Sequence, residues 1–597
     1  MPTIRSLLAA GMPASPALEG ITGPGLDHGR LRSTVESVAG ALRARGILAG
    51  DPVAIVMRNR PETAIAFLAV TLAGVAAPLN PAYGHDELDF YFGDIGARLL
   101  LVEAGLDTPA REVAKHHGIE VAEVDTAPGA GLTIDGTVPD AGPSPDVNPD
   151  PGAVALVLHT SGTTSRPKMV PLTHGNLAIS ARQIAATLAL TADDRSLTIM
   201  PLFHIHGLVA GLLAPLAAGG TVIVPPGFVA SEFASWLGSM RPTWYTAVPT
   251  MHQAILDRLA TDEGRAMRAR APLRFIRSSS ASMPPRVIRD LETALGIPVI
   301  EAYGMTEAAH QMASNPLPPG VRKPGSVGPA AGPEISIMDD SGTVLETGAT
   351  GEVVIRGPSV TSGYVSNPAA NAAGFTNGWF RTGDQGYLDA EGYLTLTGRL
   401  KELINRAGEK VAPLEVDAIL MEHPAVAQAI CFGIPHPILG EEVAAAVVAK
   451  PGEAIDVKAI RTFVATRLAY FKVPRQIREV DRIPTGATGK LQRRGLAEAL
   501  GIIAEVPVIS GDRTPPRTPV EEIVASVWRD TLRRDVPGIR ENFFALGGDS
   551  ILATRVVARI RDLLHVELPL MAFFDTPTVA GLATEIDHLL TLDDAHV

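Results

Sequence analysis

Among 597 residues there is a single cysteine, Cys431. One thiol can form neither an internal disulfide nor a cysteine-based metal cluster. Its neighbours from Ala427 to Gly433 are largely apolar, which predicts a buried, inert thiol rather than a nucleophile. Basic residues are also in deficit, 51 against 64 acidic ones, for a net charge of −13. That balance argues against a nucleic-acid binder and for a soluble protein. Long hydrophobic runs are missing too. Ala64 to Leu79 is interrupted by Gly74 and Pro78 and falls short of the ~20 residues a membrane span needs. Leu208 to Pro226 has the length, but Pro215, Gly219 and Gly220 break it. The apolar run after Arg5 is too short for a secretory core, so the expected location is the cytoplasm, with no membrane partner. Internal repeats are absent, and so is a Walker A loop.

What the chain does contain is material for large cores: 46% of residues are hydrophobic and 19% charged, which excludes global disorder. Its length suggests three or four structural units. The first several hundred residues alternate β-branched runs with amphipathic stretches, the pattern of an α/β protein. Leu31, Val35, Val38 and Leu42 mark one helix face with Gly46 beyond its end, and Val53 to Met57 reads as a buried strand. Asp125 to Gly152, rich in Pro, Gly and Asp, reads as an exposed connection. The expected boundaries are a large two-part domain over 1–398, a small mobile α/β subdomain over 399–505, a proline-rich linker over 506–518, and an all-α unit over 519–593.

In the all-α unit, Asn542-Phe543-Phe544-Ala545-Leu546-Gly547-Gly548-Asp549-Ser550 precedes apolar residues at helical spacing. Asp549 would cap that helix and Ser550 would open it. A phosphodiester on Ser550 would then meet free backbone N–H groups and the positive helix end. The stretch resembles the attachment site of peptidyl carrier domains, a four-helix fold. The resemblance implies 4′-phosphopantetheine on Ser550, a phosphopantetheinyl transferase to install it, and downstream enzymes that accept the acyl group.

Upstream, an apolar run from Val154 to His159 leads into Thr160-Ser161-Gly162-Thr163-Thr164-Ser165-Arg166-Pro167-Lys168, whose hydroxyls, amides and terminal lysine suit phosphate oxygens. Four further segments follow in order: Glu301 to Glu307, Trp379 to Asp384, Gly398 to Glu402, and Pro484 to Lys490. Singly, Asp384 reads equally as a turn residue and Lys490 as a solvated lysine. Together the segments resemble the core motifs of the adenylate-forming superfamily, which includes acyl-CoA ligases and nonribosomal peptide adenylation domains.

That resemblance spans about residues 1 to 500 and implies an ATP- and Mg²⁺-dependent acid–thiol ligase. Thr160, Ser161, Gly162, Thr163, Thr164 and Lys168 would form the pyrophosphate loop. Tyr303 would stack on adenine, Thr306 would bond the α-phosphate, and Glu307 would hold Mg²⁺. Asp384, with Arg399, would take the ribose hydroxyls. Lys490 would bridge carboxylate and α-phosphate, and Lys401 would be the hinge. Charge neutralisation suits the chemistry, since a carboxylate attacking ATP brings two anions together.

Amino-acid-activating members usually carry a Phe-Asp pair for the α-ammonium group, where this chain has Phe203-His204. Without that acid an ammonium would be left unpaired. Phe203-His204-Ile205-His206-Gly207, Phe275 to Ser280 and Thr306 to Met312 instead resemble the oxalate-CoA ligase branch, although Met169 stands where the family usually has glycine. A small polar, non-amino acid is the expected substrate, met by His206, His310 and Ser279 or Ser280, while His204 would gate the thiol tunnel. Three functions follow: loading of the chain's own carrier, a ligase acting on free CoA, or a scaffold charged by partners.

Overall fold

The computed structural model describes residues 1–127, 131–139, 148–160, 167–259, 261, 264–266, 269–406, 408–436, 439–485, 491, 493, 495–503, 511–548, 550–569, 573 and 576–594. The chain divides into two units, Met1–Lys401 with Pro484–Gln492, and Glu402–Ile483 with Arg493–Val597.

Among the described residues, the first unit holds three sheets. In a seven-stranded sheet, Glu120–Ala127, Leu99–Glu103, Pro52–Val56, Val75–Pro78 and Val154–Thr160 run parallel, in that order. Their near-continuous burial, complete along Leu99–Glu103, is that of strands covered on both faces. Antiparallel Lys168–Thr173 closes one edge, opposite Val154–Thr160. An eight-stranded sheet carries Arg195–Leu197, Trp244–Ala247, Phe275–Ser278 and Val299–Met305 in parallel, edged by antiparallel His310–Ser314. Helix Pro61–Ala73 is apolar nearly all round, starts on a proline and is buried on almost every side, as a helix inside a core must be. The third sheet is antiparallel and includes Gly351–Arg356, Trp379–Leu388 and Leu394–Arg399.

The predicted helix is present as His28–Ala44, with Leu31, Val35, Val38 and Leu42 buried and Gly46 at φ 84°. The expected strand is Pro52–Val56. The reading of Asp125 to Gly152 as connection is corrected in part. Asp125 lies inside strand Glu120–Ala127, opposite Thr133 of Gly131–Ile134. The signal was the two-residue alternation that buries Leu132 and Ile134.

In the second unit, the long hairpin Val426–His436 and Gly440–Ala449 packs against helix Pro413–Glu422. Cys431 is fully buried, and burial holds its thiol well above the ordinary range. The all-α part has helices Pro519–Leu532, Ser550–Leu564 and Val579–Asp594 among the described residues, around an aromatic cluster of Trp528, Phe543 and Phe573. Thr518 caps the first of these helices by accepting the Glu521 N–H.

Candidate active site

Strand Val299–Met305 and the short strand His310–Ser314 form a hairpin in the first unit that connects two clusters of buried polar groups. The turn between them is a 3₁₀ segment, Thr306–Ala308, opened by Thr306. Gly304 must be glycine here, since a Cβ would stand 2.0 Å from the His310 carbonyl oxygen.

On one side of the hairpin, Tyr303 is buried and its hydroxyl donates to Asp384 Oδ2 at 2.5 Å. Asp384 faces Arg399 across an antiparallel pair, and the Arg399 Nε lies 3.2 Å from Oδ1. Each Asp384 oxygen thus has one donor and one lone pair to spare, enough for a pair of hydroxyls. Glu307 is 6% exposed and accepts from the Tyr364 hydroxyl at 3.0 Å. Burial pushes its pKa up, and a cation beside it would act in the opposite direction. Lys168 heads the edge strand Lys168–Thr173, with its Nζ 4.5 Å from the centre of the Tyr364 ring. Thr160 ends the facing strand, opposite Lys168. Ser161, Gly162, Thr163, Thr164 and Lys490 lie outside the described residues.

On the other side sits a residue the sequence reading passed over. Arg277, on strand Phe275–Ser278, is 0% exposed. Its guanidinium lies 3.1 Å from His310 Nε2, 3.2 Å from Gln311 Oε1, and 3.4 Å from both His206 Nε2 and Thr246 Oγ1. Guanidinium only donates, so His310 accepts at Nε2, while His206 Nε2 lies nearer the Thr246 hydroxyl, at 2.6 Å. The other ring nitrogen of His206, Nδ1, lies 3.1 Å from Ser280 Oγ. The two imidazoles stack with centroids 4.6 Å apart. Among the described residues no carboxylate pairs with Arg277, and burial lowers its pKa to about 9. A charge buried without a counter-ion is costly. A ligand anion would relieve that cost.

The surrounding backbone is shaped to match. His310 at φ 96° and Ser280 at φ 73° adopt the left-handed region that non-glycine residues avoid. His206 opens a π-helix, His206–Leu213, a form found mainly at functional sites. His204 is held separately, its Nδ1 accepting the His206 backbone N–H at 3.2 Å. The hydroxyls of Ser278 and Ser279 are buried with no hydrogen-bond partner among the described residues. The structure therefore gathers His206, His310 and Ser280 around Arg277. It places Tyr303, Asp384 and Arg399 together, and sets Glu307 and Lys168 around Tyr364. The signal for Arg277 was an arginine inside a short run of buried strand positions, where a charge needs a reason.

In the second unit Ser550 begins helix Ser550–Leu564, while its side chain and Asp549 lie outside the described residues. The preceding turn requires glycine: Gly547 has φ 94°, and a Cβ on Gly548 would stand 2.2 Å from the Phe543 ring. Lys401 is the last residue of the first unit before the chain passes to Glu402. Glu409 and Lys410 lie on strand Glu409–Val411, and Ala407 lies outside the described residues.

Comparison with known proteins shows the family. The AMP-binding enzyme family model matches residues 9–365, its C-terminal domain model 415–490, and the phosphopantetheine attachment site model 522–586. The chain belongs to the AMP-binding enzyme family and is an adenylate-forming enzyme of the acid–thiol ligase class, with a carrier domain appended. Among its relatives, an oxalate–CoA ligase from Arabidopsis thaliana is 47% identical over 79% of this chain and 93% of its own length. An oxalate–CoA ligase from Saccharomyces cerevisiae is 42% identical over 75% and 86%. ATP-bound MatB from Rhodopseudomonas palustris superposes with a TM-score of 0.75 at 28% identity, covering 84% of this chain and 99% of the other. No helix among the described residues is long and apolar enough to cross a membrane.

Proposed function

We propose that the protein activates a small dianionic carboxylic acid, of the oxalate type, as its acyl-adenylate and passes the acyl group to the phosphopantetheine thiol on Ser550. The observation that carries the acid class is Arg277, a buried cation with no carboxylate partner among the described residues, ringed by His206, His310 and Ser280. One carboxylate of the acid would pair with Arg277, leaving the other free to attack phosphorus. An α-ammonium group would meet the wrong sign of charge. The oxalate–CoA ligases among the relatives support the same reading.

The nucleotide side fits ATP as co-substrate. Asp384 takes the ribose hydroxyls with Arg399 beside it, and Tyr303 borders the base. Thr306, Thr160 and the loop through Ser161, Gly162, Thr163 and Thr164 to Lys168 hold phosphate oxygens. Glu307 suits Mg²⁺, which takes one or two protein carboxylates and fills its shell with phosphate oxygens and water. When bound, the ion would neutralise charge on the phosphates. Lys490 supplies the matching positive charge between acid and α-phosphate, so that two anions can approach. His204 lies at the approach of the thiol, and Lys401 is the hinge between the two half-reactions.

Phosphopantetheine fits the glycine-lined turn and helix start at Ser550, and would supply the thiol. A thiol tethered through a short linker has an effective concentration of the order of mM, which favours the carrier over free CoA as acceptor. The carrier also implies a phosphopantetheinyl transferase and an enzyme that removes the acyl group. Intact mass spectrometry of the phosphopantetheinylated protein with ATP, Mg²⁺ and a panel of small acids tests the proposal. A gain of one oxalyl unit, abolished in Ser550→Ala, is expected. Continued turnover of free CoA with no gain on the protein would assign the activity to a free CoA ligase instead.

A further inference from the structure

After Pro484–Gln492 the chain re-enters the second unit at Arg493, three residues beyond Lys490. The Arg493 side chain is only 12% exposed and is held on three sides. Its Nη1 donates to the Cys431 carbonyl at 2.7 Å, Nη2 pairs with the Asp417 carboxylate, and Nε lies 3.4 Å from Glu402 Oε2. Asp417 sits on helix Pro413–Glu422 and accepts the Cys431 N–H, while Cys431 sits on strand Val426–His436. Glu402 is the first residue of the second unit after Lys401. One guanidinium therefore binds a helix, a strand and the residue at another chain crossing.

A buried ion pair is seldom retained for stability, because well-packed apolar residues usually serve as well. Burial opposes the charge on Arg493, yet the neighbouring Asp417 carboxylate holds its pKa above the ordinary value. The pair spans elements far apart in sequence, and its fixed fork geometry suits alignment better than bulk packing does. Lys490 lies within ~10 Å of chain from this anchor, three residues at their longest extension. An error at the anchor is thus carried directly to its backbone.

We propose that Arg493 is a positioning residue for Lys490, fixing the return of the Lys490 segment to helix Pro413–Glu422 and strand Val426–His436 and tying it, through Glu402, to the crossing at Lys401. The proposal rests on the reading of Lys490 as the lysine of the adenylation step. It makes Arg493 matter for adenylation and not for thiol transfer, which does not use Lys490.

The two half-reactions separate these roles in the full-length protein. ATP–pyrophosphate exchange reports adenylation, and thioester formation from supplied acyl-adenylate reports transfer. Removing both charges in an Arg493→Gln, Asp417→Asn double variant avoids an unpaired buried carboxylate. Exchange should fall about 10- to 100-fold, the scale of an ångström-level misplacement, with transfer within about threefold. Arg493→Lys should recover part of the loss. If the double variant does not fold, Glu402→Gln decides, since that side chain is 30% exposed and its loss leaves the Asp417 pair intact. A selective fall of about threefold in exchange is expected, the worth of a partly exposed ion pair. Equal losses in both half-reactions, or no loss in either, overturn the proposal. Lys490→Ala is measured alongside: intact exchange in that variant would remove the reading beneath the proposal, whereas a fall there with none in the Arg493 and Glu402 variants removes the proposal alone.

Discussion

Around Arg277 the buried groups are a guanidinium, two imidazoles and several hydroxyls, and among the described residues no carboxylate pairs with the guanidinium. Around Tyr303 they are two carboxylates, Asp384 and Glu307, met by two phenols and Arg399. Both clusters adjoin the turn of one hairpin, yet one has only cationic and neutral groups around its guanidinium and the other sets carboxylates among its cations. A cationic, donor-rich pocket selects an anion. A carboxylate-rich one selects hydroxyls and a metal ion. Under the proposed function, the difference puts the acid on one side and the nucleotide on the other.

Arg277→Met should break the comparison most sharply. Replacing an unpaired buried charge with an apolar side chain of similar length leaves the fold intact or firmer. Oxalate-dependent pyrophosphate exchange should nevertheless fall on the order of 10²–10³-fold, the usual loss for one partner of a buried charge pair. Acetate-dependent exchange should change little, and equal losses for both acids would deny Arg277 a role in selection. Asp384→Asn tests the opposite side. It keeps an acceptor but loses the charge, so the KM for ATP should rise about tenfold while the KM for the acid stays put. A rise in the acid KM instead would mean that the two sides are not separate.

An effect on stability rather than on the reaction concerns Glu301, on the same strand as Tyr303, whose pKa burial raises to about 8 from an ordinary 4.5. The folded state then keeps a proton that the unfolded chain has lost, so stability falls as pH rises from about 4.5 towards 8. Glu301→Gln should remove that slope, with a gain of the order of 5 kcal/mol at pH 9, since each pKa unit between 4.5 and about 8 is worth about 1.4 kcal/mol. Thermal melts at pH 5 and pH 9 decide it, and a slope that persists in the variant would deny Glu301 this role.

Much of this arrangement could be read from residue order. Tyr303, Asp384 and Arg399 were named as one nucleotide group and do touch, because motif residues at strand ends are brought together by the sheets. Of the residues expected to meet the acid, His206, His310 and Ser280 share contacts, while the Ser279 hydroxyl has no hydrogen-bond partner among the described residues. Arg277 escaped because attention fell on the serines after it, and only tertiary packing shows that its strand is covered on both faces. The hairpin Glu120–Ala127 and Gly131–Ile134 escaped because its polar composition hid a two-residue period. Arg493 could not be seen at all, since its partners Asp417, Cys431 and Glu402 lie 62 to 91 positions away.

The reading depends on a second negative charge in the acid, and acids of similar size test it most directly. Pyrophosphate exchange by the wild-type protein should prefer oxalate over acetate and over glycine by at least about 100-fold in kcat/KM, because a site built around a buried donor rejects ligands that leave it unmatched. Acetate or glycine adenylated as efficiently as oxalate would contradict it.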